Sequence, residues 1–267
     1  DYLQTISSGG TISYAFGDKN KASGASISAP NASGFTWETV VTKNIGLDLG
    51  LLNNRLNMTA DIYVRDTKDM LMASKDLPNV YGASSPKTNA ANLRTKGWEA
   101  SISWNDSFNL KGKAFHYSVV LGLADNTTKV TKYNNDNKTL GTPYEGQQLG
   151  EIWGYVVDGL FKTDEEAENY PVNQSYVNNI LNISVKSQGL HAGDVKYVDL
   201  DGDNIISPTL SANDVKDQKV IGNSLPRYTY SVRLAADWNG IDFSALLQGV
   251  GRQHWYPNGE TSMFWGP

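Results

Sequence analysis

Polar and apolar residues alternate along three pairs of long segments in this chain. The pairs cover residues 37–67, 94–126 and 227–251, and a short polar stretch joins the two halves of each pair. Alternation with a period of two places successive side chains on opposite faces of a β-strand. The pattern therefore predicts three antiparallel β-hairpins.

Each predicted strand has one apolar and one polar face. In the second strand the apolar positions are Leu56, Met58, Ala60, Ile62 and Val64, and the positions between them are Thr59, Asp61, Tyr63 and Arg65. A soluble β-sandwich would bury the apolar face and expose the polar one to water. A membrane barrel would turn the apolar face to lipid and the polar face to its lumen. Alternation alone is compatible with both.

The lengths of the strands and of their connections favour the membrane barrel. The turns Asn53-Asn54 and Asn239-Gly240 are short, whereas residues 68–93 and 127–226 form long connections. Outer-membrane barrels have short turns at the periplasmic end and long loops at the extracellular end. Spanning strands need about nine to eleven residues, against about five or six in soluble sheets. We therefore predict an all-β fold, part of a large antiparallel transmembrane β-barrel with a long extracellular loop over 127–226.

Composition narrows the function classes. Hydrophobic residues make up 39% of the chain and its mean hydropathy is −0.42, which does not suggest membrane-spanning helices. The absence of cysteine excludes disulfide scaffolds, thiolate metal sites and cysteine catalysis. A formal net charge of −5 argues against a nucleic-acid partner. Both termini look like cuts within a longer protein, so the 267 residues are expected to be an internal piece.

Several short sequence motifs in the chain resemble strand signatures of one protein family. They include Asn44-Ile45-Gly46-Leu47-Asp48, Asn54-Arg55-Leu56, Lys96-Gly97-Trp98-Glu99, Gly150-Glu151-Ile152-Trp153-Gly154-Tyr155, Gly193-Asp194-Val195-Lys196-Tyr197 and Val220-Ile221-Gly222-Asn223-Ser224. Their order along the chain is similar to that of the SusC/RagA-like TonB-dependent receptors of Bacteroidetes.

The resemblance implies a carboxyl-terminal fragment of a barrel in the outer membrane. Such a barrel imports nutrients, either oligosaccharides or peptides, as the subunit of a SusCD-like complex. The implied partners are a SusD-like surface lipoprotein, TonB, the imported substrate and membrane lipid. The plug domain and the terminal strands of the family are expected to lie outside these residues.

Aromatic residues in the long connection are candidates for substrate binding. They are Tyr144, Trp153, Tyr155 and Phe161. Loops of this length are uncommon unless they bind something or are disordered. The four rings could stack on sugar rings or on peptide side chains. Alternatively, they pack the loop onto itself or onto the partner lipoprotein.

An acidic segment of the same connection is a candidate calcium site. Asp199, Asp201 and Asp203 occupy positions one, three and five of an EF-hand-type loop, and the carbonyl group of Ile205 would supply a fourth ligand. Position twelve is leucine, so a further carboxylate would have to come from Asp214 or Asp217. The alternative is a solvated acidic turn without a metal ion.

Nothing in the sequence indicates catalysis. The three histidines, His116, His191 and His254, have no nucleophile elbow or zinc-binding pair beside them. We therefore predict that the protein is not an enzyme.

The alternative to nutrient import through a membrane barrel is a soluble β-sandwich that binds carbohydrate at the cell surface. A short helix is also predicted after Thr163 and Asp164, which are suitable N-terminal caps.

Overall fold

The computed structural model describes residues 6–16, 20–27, 36–73, 86–180 and 190–256. Antiparallel strands dominate these residues. The elements are β1 (Ile6–Phe16), β2 (Asn20–Ile27), β3 (Thr39–Leu51), β4 (Leu56–Ala73), β5 (Lys87–Leu110), β6 (Lys113–Lys132), β7 (Glu151–Tyr155), β8 (Val157–Leu160), α1 (Asp164–Glu168), α2 (Ser175–Ile180), β9 (Val195–Tyr197), β10 (Gln218–Asn223), β11 (Arg227–Trp238) and β12 (Ile241–Arg252).

The main sheet has six strands in the order β12-β11-β6-β5-β4-β3. Three hairpins make up this sheet, and their turns at residues 52–55, 111–112 and 239–240 lie at one end of it. Asn239 and Gly240 have φ values of 52° and 81°. Two consecutive positive φ angles define the tight turn whose twist matches that of flanking strands, and Asn-Gly adopts it readily. The other end carries the long connections.

The strands extend further toward the long connections than the alternation predicts. β5 spans 24 residues and β6 spans 20, and their pairing continues through Arg94 opposite Lys129. The prediction of a loop over 68–93 is therefore wrong at both ends, since only residues 74–86 separate β4 from β5. Polar and apolar residues no longer alternate there, as the consecutive Met70, Leu71 and Met72 show, but the backbone ladder continues.

The apolar face of the main sheet is exposed. Cross-strand neighbours on this face include Ile45, Ile62 and Trp98 in one row, and Leu49, Met58 and Ile102 in another. Ile45 is 81% exposed and Ile62 68% exposed. A β-sandwich would bury such residues beneath a second sheet. The structure therefore contradicts the soluble β-sandwich alternative.

The opposite face is polar. Asp61 lies across from Glu99, and Ser101 lies across from both Thr59 and Gly122. These residues line a shallow depression in the sheet, and a second depression on the same face lies nearer the short turns. Depressions on the polar face indicate that this face is concave, as the lumen side of a barrel wall is. The predicted orientation of Asp61 is confirmed.

One hairpin near the start of the chain is not predicted by the sequence pattern. β1 and β2 pair antiparallel in a two-stranded sheet of their own, with register shifts after Ser8 and after Thr11. The sequence of β1, ISSGGTISYAF, contains two consecutive glycines. Glycine is depleted in strands, so this segment gives a weak strand signal.

Residues 133–226, hereafter the large loop, contain short elements. β7 pairs with β10, and β8 pairs with β9. Helix α1 begins where the sequence predicts, because the Thr163 hydroxyl accepts a hydrogen bond from the Glu166 backbone N–H at 3.1 Å. No helix among the described residues is long and apolar enough to cross a membrane.

Candidate functional site

The large loop is attached to the end of the main sheet by a backbone ladder. The Val130 N–H donates to the Gln147 carbonyl, and the Leu149 N–H donates to the Thr128 carbonyl, both at 2.9 Å. The loop's exit is tied to its entry, because the Ser224 N–H donates to the Gly150 carbonyl at 2.7 Å. The start and finish of the loop are therefore fixed beside β6.

A small hydrophobic core lies within the large loop. Phe161 is 2% exposed and Ile206 is completely buried, and Val177 and Ala167 are 4% exposed each. The Phe161 ring meets the Tyr170 ring edge-on, with 5.1 Å between centroids. The Tyr170 hydroxyl donates to the Tyr197 carbonyl at 2.9 Å. The loop thus has packed contacts of its own.

A hydrogen-bonded group of side chains lies at the start of this loop. The Tyr144 hydroxyl and the Trp153 indole N–H both donate to Glu151 Oε1, the latter at 3.0 Å. The Gln148 N–H donates to Glu151 Oε2 at 3.2 Å. Burial raises the pKa of Tyr144 to about 12, with the Glu151 carboxylate adding to the shift. The phenol therefore stays protonated and keeps donating.

The four candidate substrate-binding aromatics lie in two kinds of surroundings. Tyr144 is 6% exposed and Phe161 2% exposed, so each is packed in the loop rather than offering an open ring face. For these two, the structure favours the alternative of self-packing. Trp153 and Tyr155 are partly exposed. The Tyr155 ring meets the Tyr197 ring edge-on at 5.6 Å. Substrate contact by Trp153 and Tyr155 stays a prediction.

The acidic segment brings three of its predicted ligands together. Carboxylate oxygens of Asp199, Asp201 and Asp203 lie within 4.8 Å of one another. Asn204, at the position normally occupied by glycine, has a φ of 62°, the left-handed conformation that asparagine tolerates. The Asn204 N–H and the Gly202 N–H donate to the Asp199 carboxylate at 2.8 and 2.7 Å. Although desolvation acts in the opposite direction, these bonds lower the pKa of Asp199.

Asp217 and Asp214 do not join that group. Asp217 is completely buried, and its two oxygens accept the N–H groups of Leu200 at 2.8 Å and Ser207 at 2.7 Å. It therefore ties the two ends of the acidic segment together from beneath. Asp214 lies 3.7 Å from the Lys216 ammonium, which is also 3.4 Å from Asp201. Calcium binding stays a prediction, with Lys216 as an internal competitor for the carboxylates.

Sequence reasoning missed the residues that hold the large loop in place. Glu151 and the buried Asp217 each accept several hydrogen bonds, and the Arg227 guanidinium makes a two-pronged ion pair with Asp125 where the loop returns to the sheet. From the sequence, Asp217 is predicted only as a metal ligand. Such roles depend on which side chains meet in space, and no local sequence pattern signals them.

The two-faced sheet, with short turns at one end and a folded loop at the other, defines the class of protein as a wall segment of an outer-membrane β-barrel. The comparison with known families agrees with this class. The family described as TonB dependent receptor-like, beta-barrel matches residues 5–265. The chain belongs to this family of outer-membrane receptors, which are not enzymes.

Curated relatives come from the bacterium Formosa agariphila. TonB-dependent receptor P39 is 30% identical over 242 residues, which cover 79% of this chain and 22% of the relative. TonB-dependent receptor P26 is 24% identical over 261 residues, which cover 90% of this chain and 24% of the relative. The chain thus spans about a fifth to a quarter of the length of these relatives.

Solved structures support the fold. A structure of the RagAB peptide transporter aligns with a TM-score of 0.62 and 19% identity, covering 92% of this chain and 24% of the other. The RagAB peptide importer in its 'open-open' state aligns with a TM-score of 0.61 and 20% identity, covering 94% and 23%. At these identities the likeness establishes the fold alone.

Proposed function

We propose that this chain forms part of the wall and the external loops of a barrel that imports nutrients across the outer membrane. The observation that carries the proposal is the main sheet, which has an exposed apolar face, a polar concave face and all its short turns at one end. Import through such a barrel would draw on TonB, which would engage the amino-terminal region of the full-length receptor.

The proposed substrates are oligosaccharides or peptides, and the proposed partner is a SusD-like lipoprotein in a SusCD-like complex. Two observations support this choice. The solved structures of similar fold are described as a peptide transporter and a peptide importer. The rings of Trp153 and Tyr155 are also partly exposed in the large loop, which begins beside the end of β6, and we propose that a ligand enters at that end of the barrel. The host is proposed to be a Gram-negative bacterium of the Bacteroidetes type.

The test uses the full-length receptor that contains this chain. The receptor is affinity-purified from its native membrane, and co-purified proteins and small ligands are identified by mass spectrometry. We expect a surface lipoprotein together with bound peptide or oligosaccharide. Cells without TonB should lose accumulation of the identified ligand, while cells without an unrelated transporter keep it. Repeated purification without a lipoprotein would contradict the complex, and TonB-independent accumulation would contradict the import mechanism.

A calcium ion bound by Asp199, Asp201 and Asp203 is a further proposal, with a structural rather than a catalytic role. The convergence of the three carboxylates supports it. The segment lies against the buried Ile206 and next to the parallel backbone bridge between Asn173 and Ile205. A bound ion would hold this part of the large loop in one arrangement.

A further inference from the structure

Cationic side chains form a belt on the apolar face of the main sheet, just beyond the last apolar row. The belt consists of Lys43, Arg94, Lys96 and Lys129, all of them exposed. Lys43 and Lys96 lie on either side of Val64 in one cross-strand row. Arg94 and Lys129 are neighbours in the next row toward the large loop. The belt thus occupies two adjacent rows on three strands and is continuous with the apolar band.

The register fixes which way these side chains point. Ile45, Ile62 and Trp98 form the last apolar row, and Lys43, Val64 and Lys96 lie two residues further along the same strands. Residues two apart in a strand share a face. The cations therefore point away from the concave face, in the direction of the membrane. Two residues correspond to a rise of about 7 Å, which places the belt at the level of lipid headgroups.

The belt has more positive than negative charge. Asp66 is the only carboxylate in these two rows of the described sheet, and Arg94 binds it at 2.6 and 3.1 Å. Asp125, across from Trp98 in the row below, is ion-paired with Arg227. Over the described ranges, Lys43, Lys96 and Lys129 make no ion pair within 4.0 Å. Adjacent strands lie about 4.8 Å apart, so Lys43 and Lys96 are separated by about 10 Å. Flexible lysine side chains could converge on one anionic group across that distance.

We propose that this belt binds a phosphate-bearing headgroup of a lipid in the external leaflet. Juxtamembrane cations attract anionic lipid, and ammonium and guanidinium groups both suit phosphate oxygens. The apolar band directly below would hold the acyl chains of the same lipid, which a soluble anion lacks. The leaflet assignment rests on the proposed function, since it requires the large loop to lie outside the cell.

The matched comparison uses lysines at the opposite end of the same strands. Lys111 and Lys113 lie at the β5–β6 turn, beyond the other edge of the apolar band. The belt variant K43Q/K96Q and the control variant K111Q/K113Q each remove two positive charges from the full-length receptor. Heat-dependent mobility in gel electrophoresis verifies that each barrel has assembled. If the belt variant does not assemble, K43Q is compared with K111Q in the same way.

The detergent-solubilised receptor is titrated with fluorescent diphosphoryl lipid A, at low and at high salt. Each juxtamembrane lysine contributes about a fivefold factor in affinity, so K43Q/K96Q should weaken binding on the order of tenfold or more. The control should change it less than about twofold, and salt should weaken binding to the wild type. Equal affinity of the belt variant and the wild type would overturn the proposal.

A competition measurement distinguishes binding of the lipid from binding of free phosphate. Excess inorganic phosphate should leave most of the lipid bound, because it cannot replace the acyl chains. Displacement of most of the lipid by this excess of inorganic phosphate would overturn the assignment to a lipid. Because the measured quantity is lipid binding and not uptake, failure of this proposal can be told apart from failure of the proposed import.

Discussion

Ile102 and Ser103 are neighbours in β5, yet their side chains face different surroundings. Ile102 lies between Met58 and Leu121 on the exposed apolar face, whereas Ser103 lies between Asn57 and Val120 on the concave face. Gly97 in the same strand is required for close packing, because a Cβ atom at this position would lie 2.5 Å from the Tyr63 ring. The absence of a side chain at Gly97 therefore leaves room for the Tyr63 ring over the backbone of β5.

A charge on the apolar face should impair membrane assembly. We expect Ile102→Lys to destabilise the barrel by about 2–4 kcal/mol, the cost of a lysine near the bilayer midplane. Ser103→Lys should have little effect, because that side chain faces the lumen. Equilibrium unfolding of the full-length receptor in lipid vesicles measures both. Equal destabilisation by the two variants would show that the assignment of faces is wrong.

Removal of the buried Asp217 carboxylate should loosen the acidic segment of the large loop. Asparagine can present only one oxygen, so an N–H of Leu200 or Ser207 loses its acceptor, at a cost of about 1–3 kcal/mol. Hydrogen exchange of the amides between residues 200 and 207 should accelerate in Asp217→Asn. Asp214→Asn is the control, because the Asp214 side chain is 76% exposed. Unchanged exchange in Asp217→Asn would contradict this role.

Calcium binding should respond oppositely to two substitutions. Asp201→Asn removes a ligand charge and should weaken binding, whereas Lys216→Gln removes the competing ammonium and should strengthen it. The neighbouring Asp214 and Asp201 carboxylates raise the pKa of Lys216, so the competitor is charged at neutral pH. Calorimetric titration of the receptor with calcium measures both effects. Chelation should also increase proteolysis between residues 193 and 219 while the strands stay intact.

If the wild type gives no calcium-dependent heat signal and chelation leaves proteolysis unchanged, the acidic segment does not bind calcium. The acidic segment would then be held only by its own backbone hydrogen bonds and by Lys216.

At the scale of elements, the large loop is joined to the main sheet by hydrogen bonds near its start and finish. The pairing of β6 with β11 ends at Ala124 opposite Thr229, and β6 continues to Lys132 before the large loop begins. Within the loop, β7 pairs with β10 and β8 with β9, and a small core lies around Phe161 and Ile206. The loop therefore obtains its order from its own contacts, and the strand ladder continues without it.

Excision of the large loop should leave the barrel wall intact. Residues 127–226, which comprise the large loop and the last six residues of β6, are replaced in the full-length receptor by a short Asn-Gly-containing turn that joins β6 to β11 as a hairpin. We expect membrane assembly to persist, as judged by heat-dependent gel mobility, because the β6–β11 pairs up to Ala124 and Thr229 remain. Ligand or lipoprotein capture should be lost. A barrel that no longer assembles would show that the loop contributes to the wall.

At the scale of the whole molecule, the apolar band sets the depth at which the sheet sits in the membrane. Its rows run from Phe108, Phe115 and Trp238 near the short turns to Ile45, Ile62 and Trp98 near the long connections. Trp98 and Phe108 are ten positions apart in β5, which is roughly 33 Å along a strand. A tilt of about 40° reduces this to roughly 25 Å of height, the height of the apolar band on such barrels.

Spin labels along β3 should report this depth. A label at Leu49 or Ile45 should be accessible to oxygen, which concentrates in lipid, and shielded from a water-soluble nickel complex. A label at Val41, in the row of Asp66 and Arg94, should show the reverse. This chain contains no cysteine, so each introduced cysteine is the only labelling site in it. A nickel-accessible label at Leu49 would contradict the position of the band.

The sequence by itself determined the faces of the strands and the positions of the hairpin turns. Alternation is a local property, and β-strand geometry converts it directly into two faces, as at Asp61 and Ile62. Tertiary structure decided where the strands end, because backbone pairing continues past Arg94 and Lys129 after the alternation has stopped. It also decided that Tyr144 and Phe161 are buried and that Asp217 supports the acidic segment. Those roles depend on side chains from distant parts of the large loop meeting in space, which no local pattern encodes.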